Sequence, residues 1–126
     1  MVEAVDPRAF FDTYPRFVDT SETGPWRERL NARQYALVDR QRSRLAGARV
    51  LDLASHDGRF SFAALAHGAA HVVGVERSGE LVAASRANFE HYGIEPDRFD
   101  FVQSDLFEFL AGAEPCLLYT SDAADE

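Results

Sequence analysis

The stretch Arg49-Val50-Leu51-Asp52-Leu53-Ala54-Ser55-His56-Asp57-Gly58 decides the fold. Its first half is a short β-branched and apolar run, the pattern of a strand buried on both faces. Its second half is a polar turn that ends in glycine. Arg59 to His67 then reads as a helix stopped by Gly68. His71 to Glu76 carries Val72, Val73 and Val75 and reads as a second strand. Ser78 suits the N-cap of a helix running to about Tyr92 and stopped by Gly93. Pro96-Asp97 marks a turn. Phe99 to Gln103 is a third strand, followed by Ser104-Asp105 and a short helical run through Leu110.

Strand, helix, strand, helix, strand predicts an α/β fold, a Rossmann-like parallel sheet with crossover helices. Right-handed crossovers give the spatial order 3-2-1. Strands on the far side of the first would have to follow residue 115. The sheet is therefore expected to be truncated after the third strand, with a bare edge on the first.

Upstream, Phe10, Phe11, Tyr14, Pro15 and Phe17 form an aromatic segment, read as a short helix or loop packed on the rest. Ser21 to Pro25 is a break, and Pro25 is placed to open a helix. From Trp26 to Leu45, Trp26, Leu30, Leu37, Val38 and Leu45 fall at helical spacing, with Gly47 as the stop. Residues 1–47 are thus expected to be a helical or lid segment, and 48–115 a partial ligand-binding domain.

Apolar residues make up 46% of the chain, which argues against general disorder. No run is long and apolar enough to span a bilayer, and Met1 to Phe11 lacks an apolar signal core. A cytoplasmic protein is the expectation. The net charge of −8 argues against broad nucleic-acid binding, although all 13 basic residues are Arg and a local patch is allowed. The single cysteine, Cys116, excludes a disulfide framework. His67, His71 and His91 are scattered, so no metal site is expected.

Residues 116–126 read Cys-Leu-Leu-Tyr-Thr-Ser-Asp-Ala-Ala-Asp-Glu. They resemble the translation of a transposon end and adapter used in sequencing-library preparation, and are expected to be a non-native tail. Leu117, Leu118 and Tyr119 could start a strand.

The ligands of such sheets sit at the carboxyl ends of the strands. Asp52 is the last acid before the first turn. Gly58 allows close backbone approach and opens a helix whose free N–H groups favour an anion. Glu76 closes the second strand, where an acid can accept from both hydroxyls of a ribose. Asp105 follows the third strand and could accept from an exocyclic amine. Taken singly, Asp52 is a turn acid, Glu76 a solvated strand end and Asp105 a helix cap. Gly58 alone could serve only strand–helix packing.

From about Val50 to Leu106 the chain resembles the class I S-adenosylmethionine-dependent methyltransferases. Their first motif is an acid followed by glycines at alternate positions. Here it reads Asp52, Ala54, His56, Gly58, so only the last glycine is kept. The run Asp57-Gly58-Arg59-Phe60-Ser61-Phe62 is similar to family members with Asp-Gly or Asn-Gly before an aromatic and Ser-Phe. The resemblance implies S-adenosyl-L-methionine as cofactor, with the loop Ala54, Ser55, His56 to Gly58 around its methionine part. It implies Glu76 at the ribose, Arg77 at the adenine edge, Asp105 at the adenine amino group and Leu106 beside the ring. His56 is expected to point outward, and Ala54 to be a mild change. Tyr14 and Arg16 belong to a segment that in this family often covers the cofactor.

The expected activity is methyl transfer by in-line displacement, to a small-molecule acceptor by default, with a nucleic acid not excluded. Base residues of the family come from later strands, so no catalytic residue is named. A chain of this extent is expected to be inactive alone. Two alternatives stand beside it. A NAD-dependent oxidoreductase would need a G-x-G-x-x-G turn that is absent, and Asp52 would repel its pyrophosphate. A non-catalytic relic or interaction module is the other.

Overall fold

The computed structural model describes residues 6–19, 27–112 and 118–121. Pro25, Trp26 and most of the 116–126 tail lie outside the described residues. The described elements are α1 (Phe10–Thr13), α2 (Arg16–Asp19), α3 (Arg27–Leu37), α4 (Arg42–Leu45), β1 (Arg49–Leu53), α5 (Arg59–Ala66), β2 (His71–Glu76), α6 (Gly79–His91), β3 (Phe99–Gln103), α7 (Leu106–Ala111) and β4 (Leu118–Ser121).

The parallel sheet with crossover helices is present, in the order β3-β2-β1-β4. Asp52 pairs in register with Gly74, and Gly74 with Phe101. The edge of β1 expected to be bare is instead paired, in parallel, with residues 118–121. Backbone N–H and C=O groups alone make this ladder, so an unpaired edge accepts an extended segment with few demands on its side chains.

The expected continuous helix from Trp26 to Leu45 is broken. α3 stops at Leu37, a 3-10 turn follows at Asp39–Gln41, and α4 resumes at Arg42. Its buried face also carries two polar residues that the apolar stripe did not indicate, Asn31 and Gln34. Asn31 ties down the N-terminal segment. Its Oδ1 accepts the Phe11 N–H at 2.8 Å and its Nδ2 donates to Asp12 Oδ1 at 3.0 Å.

The core lies between the sheet and its helices and is rich in aromatic rings. Phe11 and Phe17 from the N-terminal helices meet Phe60 and Phe62 of α5, and Phe62 meets Phe89 of α6. Phe89 packs edge-on against Phe101 of β3 with centroids 4.8 Å apart. Such edge contacts add about 0.5–1.5 kcal/mol beyond area burial. Gly74, in the middle of β2, makes this possible. A Cβ there would lie 2.6 Å from Phe101 Cδ1 and 2.9 Å from Ser55 Oγ.

Candidate functional site

At the carboxyl ends of β1, β2 and β3 lies a cavity of about 300 Å³. It is lined by Ala54, Glu76, Arg77, Asp105, Leu106 and Phe107. Five of these were expected from the sequence. Phe107, 83% exposed at the rim, was not, and only its place after Asp105-Leu106 could have signalled it.

Each acid is held by local bonding. Glu76 Oε1 accepts the His56 N–H at 3.0 Å and Oε2 accepts the Ser78 N–H at 2.8 Å. Each oxygen keeps a second lone pair for another donor. Asp105 caps α7, its Oδ1 accepting from the Phe107 and Glu108 N–H groups. Asp105 is therefore a helix cap, and the residue also lines the cavity. Asp52 is buried and accepts Ser61 Oγ at 2.7 Å, linking the end of β1 to α5.

Asp52, Ser55, His56 and Gly58 are not among the residues lining the cavity. They build the turn beside it. The Gly58 N–H closes the turn on the Ser55 carbonyl at 2.9 Å, and the Ser55 N–H donates to the Val75 carbonyl. The three alternate positions Ala54, His56 and Gly58 have φ of 58°, 56° and 85°. This left-handed backbone explains why glycines fit such a turn. In an L-residue it costs about 1–2 kcal/mol. The departure at Ala54 is thus a matter of backbone conformation more than of methyl size. At Gly58 the neighbours are tight too, with a Cβ meeting Phe89, Phe101 and Ser85 at 3.1–3.3 Å.

The His56 ring lies against Arg59 and Asp57, its Nδ1 3.1 Å from Arg59 Nη2 and 3.5 Å from Asp57 Oδ1. Asp57 and Arg59 form a buried ion pair that sequence reading passed over. Arg59 Nε donates to Asp57 Oδ1 at 2.8 Å and Nη2 to Oδ2 at 3.2 Å. Burial pushes the Asp57 carboxyl up. The His56 hydrogen bond and the Arg59 charge outweigh that effect and hold it below the ordinary value. Behind the turn, Ser85 Oγ donates to the His56 carbonyl and Asn88 Nδ2 to the Asp57 carbonyl. Polar residues at buried positions of α6 were the available sign of this support.

Tyr14 and Arg16 are not among the cavity-lining residues. Tyr14 packs on Phe62 and Tyr92, and Arg16 bonds to Asn88.

This geometry matches known proteins over part of its length. No family model matches the chain. It is 38% identical over 61 residues to the ribosomal RNA large subunit methyltransferase I of Pseudoalteromonas translucida, covering 48% of this chain and 15% of that protein. It is 37% identical over 68 residues to methyltransferase K of Neisseria meningitidis, covering 54% and 19%. Among solved structures, a Pyrococcus horikoshii protein assigned as an RNA methyltransferase aligns with TM-score 0.56 and 27% identity, over 63% of this chain and 39% of that one. A Streptococcus mutans protein assigned as a SAM-dependent methyltransferase aligns with TM-score 0.51 and 30% identity, over 57% and 20%. The described domain is a class I methyltransferase fold, and its relatives are methyltransferases. The chain spans a fifth or less of the curated relatives' length.

Proposed function

We propose that the chain supplies the S-adenosylmethionine-binding part of an RNA methyltransferase. The observation that carries this reading is the cavity where Ala54, Glu76 and Asp105 meet at three consecutive strand ends. Its volume falls at the lower end of small-molecule sites, about 300–1,000 Å³.

The residues present fit the cofactor. Glu76 has lone pairs to accept from two ribose hydroxyls while still bonded to His56 and Ser78. Asp105 can accept from the adenine amino group, with Leu106, Phe107 and the Arg77 stem offering flat or apolar contact. The turn from Ala54 through Ser55 and His56 to Gly58, anchored by Asp52, borders the methionine end. When bound, the cofactor supplies a methyl group already activated on a sulfonium. The work left to the protein is alignment and exclusion of water.

The default of a small-molecule acceptor gains no support from the relatives, which are named for ribosomal RNA. The NAD-dependent alternative gains none either. An RNA acceptor is the better reading, and it suits a cytoplasmic setting. No helix among the described residues is long and apolar enough to cross a membrane. Given the acidic balance of the chain, RNA phosphates would be held by a local Arg patch or by parts of the protein outside it.

Isothermal titration of the chain with S-adenosylhomocysteine tests the cofactor assignment, with NAD as the control. Saturable binding of the former alone is expected; binding of NAD alone would overturn the reading. Transfer of labelled methyl by the product of the complete reading frame, to ribosomal RNA or to a small-molecule fraction, tests the acceptor.

A further inference from the structure

The turn beside the cavity is held by side chains of β2 and α6. Three of its peptide groups are satisfied in this way: the His56 N–H by Glu76, the His56 carbonyl by Ser85 and the Asp57 carbonyl by Asn88. Left-handed residues at alternate positions take these groups out of any regular ladder, so side chains must supply the partners.

Asn88 differs from the other two supports because its second partner lies in the N-terminal segment. Its Nδ2 reaches the Asp57 carbonyl at 3.2 Å, and its Oδ1 accepts from Arg16 Nε at 3.0 Å. Asn88 is fully buried. Arg16 opens α2, and its own N–H donates to the Tyr92 hydroxyl at 3.1 Å. Phe17 seats the same helix on Phe62 and Tyr92, with centroids 5.0 and 5.8 Å apart. One buried amide thus joins the N-terminal segment, distant in sequence, to the backbone of the turn.

We propose that Asn88 is a positioning residue through which the N-terminal segment sets the geometry of the 54–58 turn, and with it the affinity for the cofactor. The inference rests on the cofactor reading above. In it, α1 and α2 act as a brace behind the turn, without touching the ligand. Coupling of this kind is reciprocal: if docking of α2 favours the bound turn, binding favours docking of α2.

The test uses the full chain, S-adenosylhomocysteine titrations and amide hydrogen exchange, with circular dichroism to establish that each variant is folded at the assay temperature. Asn88→Asp keeps an acceptor for Arg16 and loses the donor to the Asp57 carbonyl. It is expected to weaken binding by about fivefold or more, the scale of one buried hydrogen bond. Arg16→Gln, a half-exposed site, is expected to weaken binding by about two- to fivefold. In the wild-type chain the ligand should slow exchange at Phe17 and Val18, and Arg16→Gln should remove that protection. Binding by both folded variants within about twofold of wild type would overturn the inference. So would unchanged exchange at Phe17 and Val18 in the wild-type chain on saturation. If Asn88→Asp does not fold, Arg16→Gln decides. Absence of any binding by the wild-type chain would sink the cofactor reading itself, and the brace with it; binding that both variants retain sinks the brace alone.

Discussion

Glu76, at the end of β2, accepts the backbone N–H of His56 at 3.0 Å and so fixes the turn that follows β1. Its other oxygen fixes Ser78, the N-cap of α6. One carboxylate of this cavity-lining residue therefore joins two adjacent strand–helix connections. In the proposed function, pre-organisation of the site and recognition of the cofactor would converge on this single side chain.

Glu76→Gln separates these roles poorly, and that is its use. An amide has only one acceptor oxygen, so one of the two N–H groups must face an NH₂. A stability loss of about 1–2 kcal/mol is expected. Urea unfolding should show it, and affinity for S-adenosylhomocysteine should fall by at least about tenfold, since a charged acceptor is lost as well. A variant as stable as wild type would contradict the clamp.

Asp57 and Arg59 make a buried ion pair, so neutralising one leaves the other's buried charge less compensated. Asp57→Asn should cost about 3–5 kcal/mol, measured by denaturant unfolding at neutral pH. The Asp57 carboxyl titrates below its ordinary value of 3.8 in the folded chain. An acid with a depressed folded pKa stabilises the fold above the unfolded value. That contribution is lost as pH falls below about 3.8 toward the folded value. The gap between wild type and Asp57→Asn should therefore narrow on acidification through that range. A gap that widens would contradict the pairing.

His67 gives the opposite group type and a window nearer neutrality. Burial, then the Arg42 charge, hold its ring below the ordinary 6.5, with Asp39 opposing them. Its Nε2 lies 2.8 Å from Gln34 Nε2. In this range the unfolded chain binds more protons than the folded one, so stability rises with pH. The contribution is present above about 6.5 and is lost as pH falls from there toward the folded value. Unfolding midpoints at pH 7.5 and 5.5 should differ in that direction, and less so in His67→Gln.

Much of the fold could be read from the sequence because each element has its own local signal. The valines of β2, the Ser78 cap and Gly93 define their elements without help from distant residues, and β2 and β3 have the expected bounds. The break between α3 and α4 was hidden because Leu37, Val38 and Leu45 keep helical spacing across it. The cavity acids Glu76 and Asp105 were legible because strand ends are predictable positions. The Asp57–Arg59 pair, Ser85 and Asn88 were not, since their meaning depends on burial and on contacts across 29 or more residues for the helix α6 members. Ala54 and His56 read as chemical departures, whereas their constraint is a backbone angle that residue identity alone does not reveal.

That angle makes Ala54→Gly informative. The left-handed conformation at Ala54 costs about 1–2 kcal/mol in an L-residue, and glycine avoids it. Glycine in turn raises unfolded-state entropy, worth about 0.4–1 kcal/mol. A net stabilisation of about 0.5–1 kcal/mol is expected from these opposing terms. His56→Gly should gain less, because it also forfeits the contact of Nδ1 with Arg59. Destabilisation by Ala54→Gly would show that the turn relaxes out of this conformation in solution.

Gly74→Ala probes how the strands admit the aromatic core. Gly74 sits between Asp52 and Phe101 in the sheet register. The new methyl would press on the Phe101 ring at 2.6 and 2.7 Å and on Ser55 Oγ at 2.9 Å, closer than real contacts allow. Phe101 has little room to retreat, because its ring packs on Phe89 and its Cζ approaches Gly58. Overpacking of this kind costs about 1–3 kcal/mol. Displacement of the ring would also disturb the 54–58 turn, so cofactor affinity should fall together with stability. In Gly74→Ala combined with Phe101→Leu, the smaller and more flexible side chain should restore part of both. Additive losses in the double variant would mean that Phe101 is not what requires a glycine at position 74.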